Sequence, residues 1–148
     1  MIRIFSSLFF SLIALWAPSV VATVSCSGSS DELDCLEQNV DSLYQSNYYE
    51  VGKILGRSAI EAQQCTDAAK TARFLGLVRV QRWSAENEEY FAEVVEELCL
   101  KSPDCFNKAA YLLSEEEQQK LKDMLYKHPL FHDEMDFRKA ECLVKPDR

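Results

Sequence analysis

Six cysteines, all of them downstream of an apolar leader, constrain this chain more than any other feature. Met1–Arg3 is a short positive segment. Ile4–Trp16 is apolar apart from three serines, and Pro18 breaks the run. Val20 and Ala22 then place small residues at the −3 and −1 positions of a cleavage site, so residues 1–22 read as a secretory signal peptide. Because no cysteine lies in the leader, all six are expected in an oxidising compartment, where cysteines of small exported domains pair. The expected framework is disulfide-bonded, with the protein periplasmic if the source is bacterial and secreted otherwise.

Removing residues 1–22 from a chain of 148 leaves 126. That is one domain, long enough to bury roughly two-thirds of its unfolded surface without a metal or ligand. No cofactor is expected, and the disulfides should reinforce a core rather than replace one. Loss of Arg3 takes the formal charge from −8 to −9. Such a chain repels nucleic-acid phosphates and anionic headgroups, so its electrostatic partners are basic proteins or peptides.

Residues 23–30, with Ser27-Gly28-Ser29-Ser30, read as a flexible tether, and residues 31–148 as a single helical domain. Thr23-Val24-Ser25-Cys26 resembles a bacterial lipoprotein junction, although Thr23 stands where leucine is usual. Lipidation of Cys26 would leave five thiols, one without a mate. Membrane attachment is expected only through that lipid or through an uncleaved leader.

Beyond the tether the apolar residues recur at helical spacing, with no strand-like alternation. Ser30 is the expected cap of a first helix buried through Leu33, Leu36, Val40, Leu43 and Tyr44. Asn47 with Glu50 is expected to form a capping box for a second, whose apolar face runs from Val51 to Ala62. Gly52 and Gly56 are costly there, at about 1 kcal/mol each, and are expected to admit a close neighbour. A third helix is expected from Thr66–Asp67 to Trp83. Ser84 caps a fourth, with Tyr90, Phe91, Val94, Val95, Leu98 and Cys99 inward. Ser102-Pro103 starts a fifth, and Ser114 with Glu117 boxes a sixth that Pro129 stops. A last amphipathic piece spans 133–143. Short connections make sequential neighbours antiparallel, so the expected fold is all-α, a bundle or short stack of about six to seven helices.

No C-x-x-C is present, so neither a thioredoxin-type pair nor a zinc knuckle is indicated. Cys99 and Cys105 flank the corner at Pro103 and are the first expected disulfide. Cys26–Cys35 and Cys65–Cys142 are then what remain among 15 possible connectivities.

His128 and His132 are the only histidines. They stand four apart, a spacing that suits a metal on an unbroken helix, but Pro129 interrupts them and a polar turn is expected instead of a metal site. No nucleophile motif is present and oxidised cysteines cannot attack, so no catalytic residue is expected.

A row of glutamates, Glu86, Glu89, Glu93, Glu96 and Glu97, lies opposite the apolar stripe of the fourth helix, without interleaved lysines. Like charges at this spacing repel by a few tenths of a kcal/mol per pair, which a basic partner would relieve. Tyr48, Tyr49 and Trp83 are the expected apolar anchors beside it. Acidic exported helical chains with six cysteines also include the insect odorant-binding proteins, but their closely spaced second and third cysteines have no counterpart here. The expected function is a non-enzymatic binding protein, an immunity or inhibitor protein that neutralises a toxin or hydrolase of the cell envelope. The alternatives are an envelope assembly factor and a carrier of apolar ligands.

Overall fold

A computed structural model describes residues 24–80 and 83–143. The signal peptide expected at 1–22 lies outside them. Among the described residues the chain forms seven α-helices and one 3-10 turn: α1 (Glu32–Ser46), α2 (Tyr48–Gln64), α3 (Ala68–Leu75), a turn at Gly76–Arg79, α4 (Ala85–Lys101), α5 (Pro103–Ala110), α6 (Glu115–Tyr126) and α7 (Glu134–Lys139). The all-α expectation holds. No described helix is long and apolar enough to cross a membrane.

Local chemistry sets most boundaries. Asp67, Ser84 and Asp133 each accept a hydrogen bond from a backbone amide in the first turn that follows, occupying donors that a helix start leaves free. Ser114 and Glu117 form the full reciprocal capping box. Three expectations need correction. Asp31, not Ser30, caps α1, because its carboxylate reaches the amide of Asp34. Asn47 makes no side-chain cap to α2; its Nδ2 donates instead to Glu50 Oε2 at 2.8 Å. The third helix stops at Leu75, where the chain tightens into the 3-10 turn and then extends at Val80, so Trp83 lies outside it.

α1 and α2 are joined by Asn47 alone and double back on each other, which brings Glu32 of α1 to Arg57 of α2 at 2.7 Å. Their shared core is Cys26, Leu36, Leu43, Val51 and Ile54. The larger core is built from the second half of α2 together with α3, α4, α5, α6 and α7. Phe74, Phe91, Phe106, Leu121, Leu125 and Phe137 are fully buried in it or nearly so. Leu33 and Trp83 pack against both clusters and make them continuous. Sequence order does not dictate every neighbour, since α3 packs chiefly on α5, and α6 on the 3-10 turn and α7.

The disulfides follow that tertiary arrangement. Cys26 pairs with Cys35, as the elimination argument had it, with Cα atoms 5.6 Å apart. The other two expected pairs are replaced by Cys65–Cys105 (Cα–Cα 6.1 Å) and Cys99–Cys142 (5.9 Å). The corner at Pro103 turns Cys105 toward the end of α2. There Cys65, in a left-handed conformation (φ 53°), ends that helix, and the α3–α5 packing brings the two together. Cys99, on the buried side of α4, meets the C-terminal segment instead. No described cysteine is free, and three disulfides place the domain in an oxidising, exported setting.

The glycines of α2 also differ from expectation. A methyl group on Gly56 would meet nothing within 4 Å, and one on Gly52 would approach only Asn87 Oδ1 at 3.9 Å. Among the described residues, no helix packs tightly against either glycine.

Candidate binding surface

The exposed face of α4 carries Glu86, Glu89 and Glu93, all solvent-facing, with Tyr90 among them at 37% exposure. Tyr90 was expected in the core. It sits at the border of the buried arc, where the carboxylate of Glu93 and partial burial raise its phenol above the ordinary value, burial being the larger cause. Neither Glu89 nor Glu93 forms an ion pair among the described residues. Glu97, farther along the same face, pairs with Lys101 at 2.8 Å and is half-buried.

Tyr48 stands at the head of this row. Its hydroxyl donates to Glu86 Oε2 at 2.8 Å and lies 3.2 Å from Ser84 Oγ. Tyr49 is 79% exposed and meets Tyr48 edge to face with centroids 6.0 Å apart. Behind them the Tyr44 hydroxyl accepts from the Ser84 amide at 3.0 Å and from Asn87 Nδ2 at 3.1 Å, locking the α1–α2 turn to the start of α4. The structure therefore brings Tyr48, Tyr49, Glu86, Glu89 and Glu93 to neighbouring helix faces.

Two expected surface residues fall elsewhere. Trp83 is half-buried, stacked on Phe91 with centroids 6.4 Å apart and packed against both core clusters. Its Nε1 finds no acceptor among the described residues. Trp83 packs largely into the core and is only partly exposed.

Glu96 is fully buried. Its Oε1 accepts from the amide of Leu130 at 2.7 Å, and its Oε2 from the amides of Phe131 and His132, each at 3.0 Å. His132 Nδ1 also lies 3.0 Å from Oε2. A carboxylate that already accepts three amides leaves this nitrogen the donor role, which fixes the imidazole tautomer. Glu96 is the seat of the α6–α7 loop, and His132 is committed to it rather than paired with His128. A buried carboxylate costs several kcal/mol unless its lone pairs are used, and here four donors use them. Sequence alone gives Glu96 the same standing as its neighbours, because the loop that covers it lies 34 residues away.

A second buried carboxylate is used in the same way, under the segment that precedes α1. Glu50 is buried, and its Oε1 accepts from the amides of Cys26 and Ser27, each at 2.6 Å, and from the Ser25 hydroxyl at 2.9 Å. Burial pushes this carboxyl up. The Ser27 and Cys26 amides and the Ser25 hydroxyl together outweigh that and hold it below the ordinary value. The start of the segment expected as a tether is thus fastened to α2 and sealed by the Cys26–Cys35 bond. That bond also uses the thiol a lipid anchor would need.

The α1, α3, 3-10 turn and α6 segments carry paired charges. Arg73 meets Asp31 and Asp34, and Arg79 meets Glu37 and, at 2.7 Å, Glu117. The exposed pairs among these contribute little individually, whereas Glu117 is buried. Among the described residues, Glu89 and Glu93 on α4 have no such cationic partner. Compared with protein-family models, with curated proteins and with solved structures, the chain matches none of them.

Proposed function

We propose that this chain is an exported, non-enzymatic binding protein that holds a basic protein partner, and specifically an immunity or inhibitor protein that neutralises a toxin or hydrolase of the cell envelope. The observation that carries the reading is the exposed row of Glu86, Glu89 and Glu93, with Tyr48 and Tyr49 at its head. Three disulfides brace the scaffold beneath it. A rigid acidic surface accelerates encounter with a cationic partner, and exposed tyrosines supply contact area at small entropic cost.

The alternatives draw less support. An assembly factor held to a membrane by Cys26 conflicts with the Cys26–Cys35 bond. A carrier of apolar ligands needs an apolar cavity, whereas a surface cleft of about 310 Å³ is lined by Asp31, Glu32, Arg57, Glu61, Lys70 and Arg73.

The test is capture of the partner from the native source, followed by association kinetics with the wild type and the E89K/E93K variant. Reversing two charges should slow association by about tenfold or more at low salt and flatten its salt dependence. Unchanged kinetics would refute this face as the binding surface.

A further inference from the structure

The loop between α6 and α7 displays large apolar side chains to solvent while its backbone is gripped from below. Leu130 is 54% exposed, Phe131 49%, and Met135 in the first turn of α7 50%. The amides of Leu130, Phe131 and His132 all point inward to Glu96. Convergence of consecutive amides on one buried carboxylate turns the intervening side chains outward, and it spends a desolvated charge on doing so. A loop that only connected two helices would need neither the rigid seat nor the exposed aromatic. Pre-ordering an apolar knuckle does lower the entropic cost of inserting it into a partner.

The surroundings define that partner. Glu93 precedes Glu96 by three residues and leaves α4 on the same side, about 4.5 Å along the axis, and Glu89 follows one turn beyond. We infer that Leu130 and Phe131 are the apolar anchor of a docking surface that takes a protein segment combining apolar side chains with flanking lysine or arginine side chains. Its apolar side chains pack on Phe131 and Leu130, and its cationic groups meet Glu93 and Glu89. A second copy of this chain would bring the same acidic face, and an overall charge of −8, against itself, and an anionic membrane would be repelled likewise. The inference rests on the proposed binding function and names its anchor, the place that Trp83 does not fill.

The test uses the full mature protein as bait for a random twelve-residue phage-displayed peptide library. The selected peptides are then synthesised and titrated by fluorescence anisotropy against the wild type, L130S/F131S, F131Y and E89K/E93K. Expected are peptides rich in lysine or arginine and carrying apolar residues. Their affinity should fall by about tenfold or more with L130S/F131S and with E89K/E93K, and survive F131Y. The thermal midpoint of L130S/F131S should fall by no more than a few degrees, because both side chains are about half exposed. Peptides sensitive to E89K/E93K but indifferent to L130S/F131S would overturn the anchor and leave the acidic-face reading standing. Peptides that depend on Phe131 yet carry no basic residue and ignore Glu89 and Glu93 would overturn the cationic occupant together with that reading. Failure to enrich any peptide would overturn the docking surface. So would a wild-type dimer at micromolar concentration that L130S/F131S abolishes, since the occupant would then be a second copy.

Discussion

Glu96→Gln tests whether a buried carboxylate, rather than packing, fixes the α6–α7 loop. The substitution keeps the side chain's shape and exchanges one acceptor oxygen for a donating NH2. The best accommodation keeps the amide oxygen where Oε2 now receives Phe131, His132 and the imidazole, and turns the NH2 toward the Leu130 amide. The Leu130 N–H then faces another donor, a cost of about 1–3 kcal/mol. The two backbone bonds that survive change from charge-assisted to neutral, each weaker by about 1 kcal/mol. The total is about 3–5 kcal/mol, a large share of the stability of a domain this size. Guanidinium unfolding with the disulfides intact should show this loss at unchanged slope, unless the loop releases first. In that case native-state hydrogen exchange should show protection lost at the amides of 130–132 and retained in α4. A loss below about 1 kcal/mol, with protection at 130–132 intact, would refute the assignment of Glu96 as the seat.

Glu50→Gln should cost about 2–3 kcal/mol at neutral pH, by removing a charged acceptor from two amides and a hydroxyl. The folded-state value of Glu50 lies below its ordinary 4.5. The stability difference between wild type and variant should therefore be complete above about pH 4.5 and shrink as pH falls through the lower, folded-state value; a difference that grows on acidification would contradict the assignment. Gly56→Ala should stabilise by about 1 kcal/mol, raising the thermal midpoint by about 4 °C, because a helix-interior glycine gives way to alanine and the new methyl meets nothing. A lowered midpoint would show an unrecognised close approach. Peptide mapping of the unreduced protein should recover Cys65 joined to Cys105 and Cys99 joined to Cys142. The C99A/C142A variant should lose up to about 4 kcal/mol, since that bond closes a loop spanning 43 positions; recovery of a Cys99–Cys105 peptide would contradict the fold around α5.

Helical character was legible wherever local physics decides it. The spacing of Leu36, Val40 and Leu43 anticipates the buried stripe of α1, and that of Phe91, Val94, Val95 and Leu98 the buried stripe of α4. The Ser114–Glu117 box and the Ser84 cap need only residues within one turn, so they too could be read directly. The end of the third helix was harder to place, because Leu77 and Val78 continue a helical apolar pattern while the backbone at Gly76 tightens to serve the packing of α6.

The amino-acid sequence by itself determined the periodicities, the caps at Ser84 and Ser114, the acidic row on α4 and the fact that all six cysteines pair, since each depends on near neighbours or on parity. Only the tertiary structure decided which cysteines meet, because the α3–α5 contact carries Cys105 to Cys65 and away from Cys99. It also separated Glu96 from Glu93. The two carboxylates share a helix and a charge, and three residues separate them. One is left to solvent and the other is covered by amides that arrive from 34 to 36 residues farther along the chain. Whether a buried charge is tolerable depends on donors that only folding brings to it.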